Sequence, residues 1–67
     1  VKVSYKKLWK LLIDKDLKRI DLKTLAGIST TTLAKLGKDE YVSMDALVKI
    51  CTVLNVNFGD VMDLIEE

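Results

Sequence analysis

Residues 19–38 read RIDLKTLAGISTTTLAKLGK, two short runs of helical periodicity parted by a glycine. Leu22, Leu25 and Ala26 mark the first run, spaced as a short helix requires. Gly27 ends it, where a left-handed backbone is needed and a side chain is costly. Ser29 caps a second helix that includes Leu33 and Leu36. A short helix, a turn with glycine and a second, serine-capped helix describe a helix-turn-helix. Leu22 and Ala26 hold the first helix to the core, and Ile28, Leu33 and Leu36 anchor the second from beneath. Thr30, Thr31, Ala34 and Lys35 are left pointing outward. Such a helix can enter a DNA major groove, where hydroxyls meet base edges and threonine methyls meet thymine methyls. The positive end of its dipole, at Ser29 and Thr30, favours a phosphate. The alternative is an αα-corner in a helical bundle that binds no DNA.

The flanking segments keep the helical period. Tyr5, Leu8, Trp9 and Leu12 predict a first helix from Ser4, as N-cap, to about Lys15, with Leu11 and Ile13 widening its apolar side. Leu17 fills the turn that follows. Gly37 breaks the pattern, and Lys38-Asp39-Glu40 reads as a loop. Ser43 caps a fourth helix with Met44, Leu47, Val48, Cys51 and Leu54 on one face and with Ile50 and Val53 partly off it. Asn57 and Asp60 resemble a capping box that opens a last helix, with Phe58, Val61, Met62 and Ile65 on its apolar side. Alternating strand patterns, internal repeats and proline are absent. The expected fold is all-α: five short helices in one compact domain spanning residues 1–67.

Composition narrows the function. The chain has 67 residues, 49% of them hydrophobic and 31% charged, no histidine and the single cysteine Cys51. A chain this short buries about 60% of its unfolded surface. An internal disulfide, a Cys/His zinc site and His-based acid–base chemistry are excluded. No paired nucleophile and base can be assembled, so an enzyme is not expected, and no cofactor is called for. No apolar run approaches a membrane span, and a reduced cytoplasmic protein is the expectation. The net charge of +1 conceals a split. Residues 1–38 hold ten Lys/Arg against three Asp, and residues 39–67 hold one Lys against seven Asp/Glu. The halves therefore carry +7 and −6. Such a split suits a basic face that meets a polyanion, or two ordinary solvated helix faces. Asp63, Glu66 and Glu67 would turn the C-terminal end away from phosphates. Trp9 reads as a packing residue or an exposed interface aromatic, and Cys51 as a buried, inert thiol.

Beyond the residues themselves, the chain resembles the Cro/C1-type helix-turn-helix regulators, also called the XRE family, from about Tyr5 to Ile65. The resemblance rests on Leu22, Gly27-Ile28-Ser29, Thr32-Leu33, Leu36, Leu47, Ile50-Cys51 and Leu54-Asn55-Val56. The phrasing TLAGISTTTLAKLGKDEYVSMDALVKIC is similar to a subgroup of small, single-domain bacterial regulators. It implies a lambda-repressor-like five-helix domain whose third helix, about Thr30–Leu36, reads the major groove. Carried over by position, the base-reading residues fall on Ser29, Thr30, Thr31 and Lys35. A phosphate contact falls on Arg19, at the start of the second helix. Lys38 is a further phosphate candidate, and Tyr41 either bonds a phosphate or covers the core edge. Two positions depart from the family pattern: Lys23 stands where a small alanine usually packs at the helix crossing, and Lys18 where a Ser or Thr cap is common.

Two functions follow. The first is sequence-specific binding of double-stranded DNA as a transcriptional regulator, as a homodimer on an inverted repeat. Val61, Met62, Leu64 and Ile65 crowd a helix too short to bury all four, and they are the dimer-interface candidates. The second is a protein-interaction module on the same scaffold, an antitoxin or anti-regulator, whose protein partner docks on the acidic C-terminal end.

Overall fold

In the computed structural model, which describes residues 1–66, a short strand β1 (Lys2–Ser4) leads into helix α1 (Lys6–Asp14). Helices α2 (Arg19–Ala26), α3 (Thr30–Gly37) and α4 (Met44–Leu54) follow, then a single 3-10 turn (Phe58–Asp60) and strand β2 (Asp63–Ile65). Glu67, the last residue of the acidic run, lies outside the described residues. Among the described residues no helix is long and apolar enough to cross a membrane.

The expected fifth helix is therefore a correction: among the described residues there are four helices and a two-stranded sheet. Asp60 does accept the Asn57 N–H, at 3.0 Å, but the turn it opens stops at once. Gly59 weakens any helix there, and Val61 turns fully into the core. The chain then straightens and pairs antiparallel with β1, Lys2 opposite Ile65, Val3 opposite Leu64 and Ser4 opposite Asp63. Lys7 ties this corner to α1, donating to the Gly59 carbonyl at 3.0 Å and pairing with Asp63 at 3.1 Å. Ser4 stands one position before the N-cap, its hydroxyl accepting the Lys6 N–H at 3.4 Å. It is buried at the end of β1, and Tyr5 takes the N-cap position.

All four helices end alike. Asp16, Gly27, Asp39 and Asn55 each adopt a left-handed backbone, with φ between 56° and 68°. The next residue's N–H then reaches the carbonyl five positions back: Leu17 to Leu12, Ile28 to Lys23, Glu40 to Lys35 and Val56 to Cys51, at 2.8–3.2 Å. This is the Schellman stop, which satisfies a carbonyl the helix end would leave bare. Ser29 and Ser43 open α3 and α4 as expected, their hydroxyls accepting the N–H of Thr32 and Ala46 at 3.1 Å each.

Each of the four helices sends one fully buried side chain to a common centre, Leu8 from α1, Leu22 from α2, Leu36 from α3 and Ile50 from α4, and Val61 joins them from beyond the 3-10 turn. The buried side of α4 is Ala46, Leu47, Ile50, Cys51 and Leu54. It is thus rotated from the expected stripe, leaving Met44 and Val48 exposed. Leu25, Ile13 and Phe58 are exposed as well. Burial, then Asp60, pushes the Cys51 thiol above its usual pKa, which keeps it protonated and unreactive.

Tyr5 belongs to the core yet makes two polar contacts. Its N–H donates to Asp39 Oδ1 at 3.0 Å, and its hydroxyl donates to the Glu40 carbonyl at 2.8 Å. The start of α1 is thereby fastened to the loop behind α3. Burial first, then the charge of Asp39 and the presence of Tyr41, holds the Tyr5 phenol above the usual tyrosine range. The folded state thus favours the neutral phenol. Its contribution to stability is whole below the unfolded-state pKa of about 10 and is lost as pH rises through the raised folded value. Tyr5→Phe should lower unfolding free energy by about 1–2 kcal/mol at neutral pH, measured by urea denaturation. The gap to the parent should narrow above about pH 10, where the parent's phenol ionises and the phenylalanine has nothing to lose. A constant gap would refute the assignment.

Candidate functional site

α2 and α3 form the helix-turn-helix that the spacing predicts. Gly27 makes the turn with φ +68°, and no atom lies within 4 Å of where its Cβ would stand. The requirement for glycine here is thus one of backbone conformation alone. Ile28 is buried directly after it and pins the entry to α3. Lys18 caps α2 with no side-chain bond, and Asp21 instead reaches back to accept the Lys18 N–H at 2.9 Å. A carboxylate in the first turn also sits well with the helix dipole. Lys23, at the crossing where a small residue was expected, is half-buried, as its aliphatic stem permits.

α3 lies on the core through Leu36, with Thr32 and Leu33 half-buried beside it. Ser29, Thr30, Thr31, Ala34 and Lys35 are exposed. Ser29 is already engaged: its Oγ accepts the Thr32 N–H and donates to Thr32 Oγ1 at 3.0 Å. The groups left open on this face are the hydroxyls of Thr30 and Thr31, the methyl of Ala34 and the Lys35 ammonium. Gly37 is the last residue of α3 and not a break that follows it, and Lys38 forms the C-cap. Lys35 and Tyr41 line one shallow depression with Lys2, Asp39 and Glu40. The structure therefore brings β1 to the edge of this surface, which no local sequence pattern signals.

Arg19, the first residue of α2, has neighbours that periodicity does not show. Its guanidinium carbon stands 4.0 Å from the centre of the Trp9 ring. Trp9 is half-buried, so it serves both the core edge and this stack. Among the described residues no carboxylate pairs with Arg19. Of the C-terminal residues expected at a dimer contact, Val61 is core and Met62 packs half-buried against it. Leu64 and Ile65 remain exposed on β2, at 69% and 37%. Val48 and Phe58, which periodicity places on the apolar faces of their segments, are exposed and line a hollow between α4 and the 3-10 turn. Among the described residues no group of three His, Cys, Asp or Glu side chains is placed to hold a metal ion.

Comparison with known proteins gives two matches. The model of the Cro/C1-type HTH DNA-binding domain matches residues 7–67. The crystal structure of the transcriptional regulator VanUg is similar over 98% of this chain and 88% of that one, with 52% identity and a TM-score of 0.95. No curated protein sequence matches.

The Gly27 geometry carries a test. Gly27→Ala should destabilise the fold by about 1–2 kcal/mol through left-handed strain alone, and Gly27→Asn by less, since asparagine tolerates that region. Thermal denaturation of both variants checks the order. A larger loss for asparagine than for alanine would point to a steric clash instead.

Proposed function

The chain belongs to the Cro/C1-type helix-turn-helix DNA-binding family, and from that premise we propose that residues 1–67 act as one sequence-specific transcriptional regulator domain. The observation that carries this reading is the division of α3: Leu36 is buried beneath it, while Thr30, Thr31, Ala34 and Lys35 form an exposed face of small groups ending in a cation. A helix of that form fits a major groove without a bulky side chain holding it off. Thr30, Thr31 and Lys35 read base edges. Ser29, committed to its cap, presents the helix N-terminus to a phosphate. Arg19, Lys38 and Tyr41 contact the sugar–phosphate backbone and fix the register of the helix. The function is binding alone, with no chemical step and no cofactor.

The same reading includes a homodimer. Leu64 and Ile65 on β2 supply exposed apolar surface for it. A two-fold axis there would set two recognition helices on half-sites about 34–36 Å apart, and the operator would be an inverted repeat. The similarity to a protein described as a transcriptional regulator supports regulation as the purpose of binding.

Selection from a random duplex pool should enrich one inverted repeat, with affinity falling steeply with salt. Lys35→Ala should weaken the selected site by about 1–3 kcal/mol and relax one base position. Arg19→Ala should weaken all duplexes alike and lower the salt slope by about one. If nothing is enriched, the regulator reading falls, and the acidic C-terminal end becomes the place to seek a protein partner. For the dimer, sedimentation should show a mass that rises with concentration; a constant monomer mass, free and on DNA, would remove it.

A further inference from the structure

Gly37 has no conformational reason to be glycine. It closes α3 without a positive φ, and in a helix alanine is the better residue. What occupies the space beside it is Arg19: a Cβ at position 37 would stand 3.2 Å from Nη1 of that guanidinium. On another side the guanidinium lies over the Trp9 ring, 4.0 Å from its centre. Three elements thus converge on one side chain: α1 supplies the ring, α2 the arginine, and the end of α3 a position without a side chain. No carboxylate neutralises the cation among the described residues.

We propose that Trp9 and Gly37 are positioning residues that hold the Arg19 guanidinium in place for a DNA phosphodiester oxygen, an inference that rests on the DNA-binding reading above. An arginine stacked on an aromatic face keeps its in-plane N–H donors free, and these donors match a phosphate's oxygens. The ring also restrains a side chain that is otherwise rich in rotamers, so less freedom is lost when the phosphate is met. Because the clamp spans α1, α2 and the end of α3, it also relates the phosphate contact to the recognition helix. Lys38 follows Gly37 directly and adds a second cation at the same end of α3.

The test is a double-mutant cycle read by fluorescence anisotropy on the selected duplex. Gly37→Ala and Trp9→Leu are each made alone and together with Arg19→Ala, with thermal melting of every variant. Gly37→Ala should raise Kd by about threefold or more, the scale of an exposed cation–π contact, while its melting temperature does not fall. Its salt slope should move towards that of Arg19→Ala. In the Arg19→Ala background neither Gly37→Ala nor Trp9→Leu should change Kd further. Trp9 also supports the core edge, so Gly37→Ala decides the matter if Trp9→Leu does not fold. An unchanged Kd for Gly37→Ala, or equal losses with and without Arg19, would overturn the positioning role while leaving the regulator reading intact. If the parent protein binds no duplex in a salt-dependent way, both readings fall together.

Discussion

The architecture depends on one repeated backbone event: a helix stopped by a single left-handed residue. Asp16, Gly27, Asp39 and Asn55 do this in turn, each followed by an N–H that bonds five residues back. The helices they close are 8 to 11 residues long, too short to persist alone in water. They exist because each stop turns the chain and brings the next apolar face onto the same centre. At three of the stops the following residue is apolar and at least half-buried, namely Leu17, Ile28 and Val56. That contact is the usual companion of such a stop. At the third stop the corresponding residue is Glu40, which cannot be buried as a hydrophobe. There the anchoring passes to its carbonyl, which accepts the hydroxyl of Tyr5.

Asp39 consequently serves three purposes. It tolerates the left-handed backbone, its carboxylate accepts the Tyr5 N–H, and its charge helps keep the Tyr5 phenol neutral. The chain's first helix and the loop behind α3 are thereby one junction. The two-stranded sheet closes the same region from the other side, with Lys7 joining α1 to Gly59 and Asp63. The Lys7–Asp63 pair is about half exposed, so its energetic share is small; its effect is to fix where β2 runs.

What could be read from the sequence was what is decided within a few residues. Gly27, Ser29 and Ser43 announce a turn and two caps through local chemistry, and all three act as expected. The open face of α3 followed from the same periodicity. Asp16 reads only as a charge and Asp39 only as part of a polar loop, because aspartate in a left-handed stop is far less distinctive than glycine. β1 and β2 lie about sixty positions apart, and three-residue strands leave no alternation to detect. The segment after Asn57 therefore looked helical, and Val61 looked like surplus apolar surface when it is core. The rotated face of α4 has a similar cause. A helix apolar almost all round does not disclose which side meets its neighbours. The Trp9–Arg19–Gly37 cluster was invisible for another reason, since its three members belong to different elements and none is unusual in its own segment.

Charge along the chain is an imperfect guide to charge at the surface that matters. The first 38 residues carry +7, yet Lys7 is spent on Asp63 and the Gly59 carbonyl. Lys6 and Lys10 lie on the exposed side of α1 and at most contribute to long-range attraction, which salt screens beyond about 10 Å. The cations that bear on the proposed contact are fewer: Arg19, Lys35 and Lys38, at the start of α2 and along the last turn of α3. Three placed cations beside small polar groups can orient a helix on a polyanion where a uniformly basic surface would bind it in many registers. For the proposed contact, the near-zero net charge works in favour of selectivity. Generic attraction to any duplex is held low by the acidic C-terminal half. Discrimination would then rest with the few side chains of α3 proposed to reach a base, held in register by an arginine whose own contact is the same on any duplex.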